Sequence, residues 1–190
     1  MSFGKRKPLI DVFMNKNNLI NLSAIREPEA IYTKHVMDSL ELLKIFSFKK
    51  GQTACDLGTW WGFPLFPLAM ECSDVSFVGL DARRKKIAAL EDMISSLRLK
   101  NCSAEWWRAE DHEKRYAVVI ARAVAHVDKL IPWMLNIVKK WGTLILYKEK
   151  NDEEKAALQQ LCKKHKLSIE KEHVYVLEEW GVERVVYVIR

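Results

Sequence analysis

The sequence predicts an α/β fold: a mostly parallel sheet with helices on both faces and an antiparallel hairpin at its C-terminal edge. Three observations carry that expectation. From Gln52 onward, strand-like and helix-like stretches alternate. The strand stretches are apolar on both faces, Ala117–Arg122 most fully, as buried parallel strands are. The last two, Leu167–Leu177 and Arg184–Ile189, are separated only by a turn around Glu178–Glu183, which suits an antiparallel pair.

In order along the chain, residues 1–28 show little periodicity, with turn-like Asn17-Asn18 and Asn21-Leu22-Ser23. Glu27-Pro28-Glu29 opens a helix, because proline and acid suit a helix N-terminus. This helix is expected to reach about Phe46, with Ile31, Met37, Leu40 and Leu43 inward. Thr53–Leu57 is the first strand and Pro64–Glu71 a helix. Val75–Asp81 is the second strand. The helix Arg83–Leu99 follows, with Ile87, Leu90, Ile94 and Leu97 at helical spacing. Ala104–Arg108 and Ala117–Arg122 are strands, His126–Lys140 a helix, Gly142–Lys148 a strand and Asn151–Lys166 a polar surface helix. Of Trp106 and Trp107, one is expected in the core and the other under a helix. The whole is read as one domain, 1–190, in which 1–50 is a short N-terminal helical extension.

Composition limits the function classes. The chain has 190 residues, of which 49% are hydrophobic, so it can bury a full core. No apolar run approaches the roughly 20 residues that span a bilayer. The basic start, Met1–Pro8, leads into an apolar patch broken by Asp11 and Asn15, which is not a signal peptide. Cys55, Cys72, Cys102 and Cys162 are scattered without zinc spacing, so reduced thiols, a cytoplasmic location and no metal site are expected. The net charge of +6 and the clusters Lys5-Arg6-Lys7, Lys49-Lys50, Arg83-Arg84-Lys85-Lys86, Lys139-Lys140 and Lys163-Lys164 suit either solvated helix ends or a polyanion such as RNA.

The chemistry of such a sheet lies at the carboxyl ends of its strands. The first strand ends in Gly58-x-x-x-Gly62 and feeds a helix, an opening that presents backbone amides to a ligand. Asp81 closes the second strand about 20 residues on, where a carboxylate can accept from a ribose diol or cap the next helix. Arg108-Ala109-Glu110-Asp111 follows the third strand, as an adenine-side loop or a solvated turn. Arg122 ends an apolar strand and needs a partner, for which a bound carboxylate or phosphate is the leading reading. Lys148 ends the fifth strand, able to meet phosphate or water. His35 and Asp38, three apart on one helix, share a face: a polar edge of the cleft or a satisfied core histidine. Neither Ser23 nor Ser39 has triad partners at a recognisable spacing.

Asn21-Leu22-Ser23-Ala24-Ile25-Arg26, His35-Val36-Met37-Asp38-Ser39-Leu40, the glycine turn with its proline-rich helix start, Leu80-Asp81-Ala82 with Lys85, Arg108-Ala109-Glu110, Ala121-Arg122-Ala123-Val124-Ala125, Lys148 and Arg184–Ile189 occur in an order that resembles one family. It is the small-subunit ribosomal RNA guanine-N7 methyltransferases, long called glucose-inhibited division protein B. The resemblance covers roughly residues 18–190. It implies a Rossmann-like class I S-adenosylmethionine methyltransferase fold and S-adenosylmethionine as cofactor. The implied reaction moves its methyl group to N7 of a guanine in 16S ribosomal RNA. The implied partner is 16S RNA or the 30S subunit, with no membrane or metal and a monomeric chain. Guanine N7 carries a lone pair and no proton, so no general base is required.

On that resemblance, Asp56 belongs to the cofactor site, with Gly58, Thr59 and Gly62 at its methionine end, Asp81 at the ribose, and Ala109 and Glu110 at the adenine. Arg122 would hold a carboxylate or an RNA phosphate. Asn21, His35, Asp38, Arg108, Lys148 and Arg184 would shape the RNA side. Three positions depart from the family's pattern: Trp60 replaces its central glycine, Trp61 follows it, and Leu65 replaces a later glycine. A non-catalytic RNA-binding descendant, its cofactor cleft filled by the two indoles, is therefore the second reading. A nicotinamide-dependent oxidoreductase is disfavoured by the glycine spacing and the absence of a placed proton donor.

Overall fold

A computed structural model describes residues 3–108, 111–177 and 181–190. Seven strands form one sheet: β1 (Thr53–Leu57), β2 (Ser76–Asp81), β3 (Cys102–Trp106), β4 (Tyr116–Arg122), β5 (Val138–Glu149), β6 (Ile169–Leu177) and β7 (Val182–Ile189). Their spatial order is β3-β2-β1-β4-β5-β7-β6. The first five run parallel, and β7 lies antiparallel between β5 and the edge strand β6. The order reverses beside β1, where β2 leaves on one side and β4 on the other, so a crevice opens at the carboxyl ends of β1 and β4.

Strand alternation sorts the core into two layers. Val118, Ile120, Ile145, Tyr147, Val186 and Val188 face one way, onto the N-terminal helices α1 (Phe3–Ile20), α2 (Pro28–Ile31) and α3 (Asp38–Leu40), and onto α4 (Leu65–Glu71) and α5 (Arg84–Leu97). Val119, Ala121, Leu144, Leu146, Val185 and Tyr187 face the other way, onto α6 (Val127–Ile137) and α7 (Asp152–His165). Both faces of the sheet are covered, which explains why its strands read as continuous apolar runs.

The first 20 residues correct the expectation of an irregular lead: α1 spans Phe3–Ile20. Its inward face is Arg6, Leu9, Ile10, Phe13 and Asn17, a helical spacing in which polar residues hold two positions. Arg6 is buried and ion-paired with Glu71 of α4. Asn17 accepts from the amide of Ser23 and donates to the carbonyl of Ile25, folding the next loop back on the helix. The expected single helix to Phe46 is a helical run of changing pitch: α2, a π-helical stretch Tyr32–Met37, α3, and a 3-10 turn Glu41–Lys44. Ile31 and Leu40 are buried as expected, whereas Met37 and Leu43 are half-buried. Trp106 and Trp107 correct a second expectation: both remain about half exposed, at 47% and 49%.

Candidate active site at the carboxyl ends of β1, β2 and β4

Gly58 and Gly62 are built into the turn after β1. Gly58 has φ +67, and a Cβ there would lie 2.7 Å from the Val124 side chain. Gly62 has φ +88, and a Cβ would strike the Phe66 ring. The amides of Gly58 and Thr59 both donate to the Leu80 carbonyl, so these two groups close the turn on β2 rather than face a ligand. Thr59 donates its hydroxyl to Asp56 at 2.7 Å. Burial raises the Asp56 carboxyl to about 7, against the opposing pull of the Thr59 and Leu65 hydrogen bonds. Its Oδ1 is buried without a partner.

Trp60 also has positive φ, +51, a conformation that disfavours any side chain with a Cβ. Its half-buried indole does not fill the crevice. A cavity of about 360 Å3 remains, within the roughly 300–1,000 Å3 of small-molecule sites. Leu57, Leu80, Val124, Trp107 and Trp133 supply apolar walls, and Asp81, Lys86 and Arg108 the polar groups. Asp81 accepts from the Arg83 amide at 2.9 Å and from Lys86 at 3.1 Å. An ionised carboxylate has about four acceptor positions, so capacity for a diol remains. Asp81 thus serves the start of α5 and faces the cavity at once. Trp61 lies outside this lining, with the Lys86 ammonium 5.4 Å from its ring centre.

A second cavity, of about 180 Å3, is lined by His35, Trp60, Phe63, Arg122, Ala123 and Arg184. That is room for about six waters, the scale of one base. The two cavities share Trp60 and Ala123 as their common wall. Beneath the second lies a buried ionic cluster. Asp38, fully buried, receives Arg122 Nε at 2.7 Å, the Tyr175 hydroxyl at 2.6 Å, and Arg184 through Nε at 3.2 Å and Nη2 at 3.3 Å. Arg122 Nη2 donates to the Lys34 carbonyl at 2.8 Å and to His35 Nδ1 at 3.3 Å.

With Nδ1 accepting, the neutral His35 ring carries its proton on Nε2. Burial first, and the Arg122 charge second, lower its pKa to about 3, so the ring is neutral across the physiological range. The π-helical stretch holds His35 between Trp60 and Phe63, each with ring centres 5.1 Å away. His35 Nε2 and Arg122 Nη1 are buried without hydrogen-bond partners, and both side chains line the second cavity. Two such orphaned donors are costly unless something accepts from them.

The structure therefore brings His35, Asp38, Arg122 and Arg184 together at the second cavity, and Gly58, Asp81 and Arg108 at the first, while Asp56, Thr59 and Gly62 line neither. Three expectations are corrected. Arg122 takes its carboxylate from Asp38 within the chain and faces the second cavity, not the first. Lys148 lines neither cavity. It donates to the Ala125 carbonyl at 2.8 Å and pairs with Glu154 at 2.5 Å, and Glu154 also accepts from the Val127 amide, so Lys148 clamps α7 to the start of α6. Asn21 sits apart, exposed at the end of α1 with φ +51 and receiving Arg26. Ala109 and Glu110 lie outside the described residues.

Lys86, Trp107, Val124 and Trp133 were missed as lining residues. Trp107 was signalled by its place beside Arg108 at a strand end. Trp133 had no signal, because helical periodicity alone does not say which apolar face meets a cleft.

Among the described residues, no cluster of three or more His, Cys, Asp or Glu could hold a metal ion. Among the same residues, no helix is long and apolar enough to cross a membrane. In fold, the chain resembles a SAM dependent methyltransferase from Aquifex aeolicus, with TM-score 0.66 and 17% identity over 84% of this chain and 92% of that one. It is 35% identical to the ribosomal RNA small subunit methyltransferase G of Lachnoclostridium phytofermentans over 95% of this chain and 77% of that protein. It is 33% identical to the protein of that name from Flavobacterium johnsoniae over 68% of this chain and 62% of that one. These comparisons agree with S-adenosylmethionine as the cofactor, and the cavity and the spare acceptor positions of Asp81 fit it. Residues 5–182 match the family described as GidB: rRNA small subunit methyltransferase G, and to that family the chain belongs.

Proposed function

We propose that the protein transfers a methyl group from S-adenosylmethionine to N7 of a guanine in 16S ribosomal RNA. The observation that carries this reading is the pair of cavities meeting at Trp60 and Ala123. One has the carboxylate and apolar walls that suit an adenosine. The other has two buried donors with nothing to donate to. S-adenosylmethionine, when bound, supplies an electrophilic methyl on sulfur. Asp81 accepts from the ribose diol, and Trp107, Trp133 and Leu80 exclude water from the adenosine.

On the RNA side, His35 Nε2–H and Arg122 Nη1–H donate to the O6 edge of the target guanine, which leaves N7 free. No residue removes a proton, because N7 has none; the site acts by placement and by fixed donors. Asp38 and Arg184 are positioning residues that hold Arg122. Arg108, exposed at the rim of the first cavity, meets the RNA around the target.

The test is tritiated methyl transfer to 30S subunits lacking the modification, followed by borohydride and aniline treatment, which cleaves at N7-methylguanine. The expected result is incorporation with one cleavage position. Asp81→Ala should weaken S-adenosylmethionine binding about tenfold or more through loss of charged hydrogen bonds. No incorporation and no calorimetric heat with S-adenosylmethionine, beside salt-sensitive RNA binding, would establish the non-catalytic descendant instead.

A further inference from the structure

The amino end of the parallel strands carries a second groove, about 590 Å3, remote from both cavities above. Its cations are Arg115, Lys139, Lys140, Lys166 and Arg190, and no carboxylate lines it among the described residues. Arg190 is paired with Glu170, and Arg115 reaches the Val138 carbonyl; Lys139 and Lys140 stand exposed at the rim. Its floor is apolar, formed by Leu135, Val138, Leu144 and Leu167.

The groove owes its shape to an excursion in β5. Tyr116 pairs with Val138 and Val118 with Thr143, so β5 advances five residues while β4 advances two. The extra residues bulge from the sheet. This also corrects the expected strand start at Gly142 and helix end at Lys140.

At the crest of the bulge stands Trp141, 87% exposed and with φ +64. A tryptophan in the left-handed region is strained, and an indole left in water forgoes its burial. Among the described residues, the ring contact recorded for it is Lys140 Nζ, 5.3 Å from the ring centre, which offsets little of either cost. An exposed aromatic ring beside two exposed lysines, over a groove with no Asp or Glu in its described lining, is the composition of a stacking platform for single-stranded nucleic acid.

We infer that this groove is a second RNA-binding site, in which an unpaired base stacks on Trp141 while Lys139 and Lys140 meet the flanking phosphates. That the polyanion is RNA rests on the substrate proposed above. An anionic membrane suits the groove less well, because Trp141 protrudes singly while Leu135, Val138, Leu144 and Leu167 form a recessed floor. The strands separate this groove from the cavities by about 20 Å, at about 3.3 Å per residue. The two sites would therefore grip different segments of a folded RNA, or of one strand passing around the sheet.

The experiment uses the full chain and a fluorescein-labelled 12-nucleotide single-stranded RNA carrying 4-thiouridine. Anisotropy gives affinity against salt, and photocrosslinking followed by peptide mapping locates the contact. The expected result is a crosslink within 138–144, at least fivefold weaker binding for Trp141→Ala, and a shallower salt slope for Lys139→Glu with Lys140→Glu. S-adenosylmethionine binding by calorimetry should be unchanged in these variants, which also reports that they fold. Crosslinks confined to the cavity at Asp81 and Arg108, or wild-type affinity in all variants, would overturn the inference. So would loss, in these variants, of binding to phosphatidylglycerol vesicles but not to RNA. Failure of methyl transfer in the wild-type chain, with the 138–144 crosslink present, would remove the catalytic proposal and leave this site standing.

Discussion

Asp38 shows how much one side chain holds here. It is the common acceptor for Arg122, Arg184 and Tyr175, with no exposure to water. Asp38→Ala would leave two guanidinium groups in a buried space with no counter-charge, and removing one member of such a cluster costs about 3–5 kcal/mol. Urea melts should show that loss, and cofactor binding measured below the transition should survive better than methyl transfer. Asp56 has the opposite character. Its folded pKa, about 7, lies above the unfolded value, so the folded state holds the extra proton and stability falls as pH rises from about 4 towards 7. Asp56→Asn removes that titration. The unfolding free energy of the variant relative to wild type should therefore rise between pH 5 and pH 8 and level off above, as measured by melts at each pH. His35 shifts the other way: its pKa is depressed to about 3, so its share of stability falls as pH drops below about 6.5. Apart from the family resemblance, nothing in the sequence assigned Asp38 and His35 more than a shared helix face. Their partners lie on β4, β6 and β7, and only the fold brings those strands to α3.

The elements differ in how openly the sequence displays them. α5 was plain because Ile87 and Leu90 repeat at helical spacing against charged neighbours. α1 was hidden because polar residues occupy inward positions, Arg6 ion-paired with Glu71 and Asn17 bonded to the following loop. The bulge at Lys139–Gly142 was hidden because sequence patterns mark where a strand is apolar, not where its register slips. The turn after β1 offers a direct measurement. Trp60 is held at positive φ, where glycine escapes the Cβ penalty of about 1–2 kcal/mol. Trp60→Ala keeps that penalty and loses the packing on His35, whereas Trp60→Gly loses only the packing. Urea melts should find the glycine variant the more stable of the two by about 1 kcal/mol, the reverse of the usual order in regular structure.

At the level of the molecule, the parallel order, the covered faces and the C-terminal hairpin were all legible, since each follows from apolar runs and their spacing. Gly58, Asp81 and Arg122 were legible as strand-end positions that line a cavity. Their partners were less so, because Leu80, Lys86 and Asp38 engage groups that the sequence left free for a ligand. The two ends of the sheet provide a test of the whole. Arg108→Glu acts at the cavity end and Lys139→Glu with Lys140→Glu at the far groove, about 20 Å apart by strand length. Their effects on the free energy of binding to 16S RNA should add to within about 0.5 kcal/mol, as separated sites do. Competition titrations with the single and combined variants would measure this, and a large deviation would mean one continuous path.

The two chambers meet at Trp60 and Ala123, so the partition between them includes an indole. Turning that indole would change how far the two communicate, with no bond made or broken. An inhibitor that tethers a nucleoside to a purine would have to bring its own replacement for that ring, and its selectivity for this chain would reside in the tether.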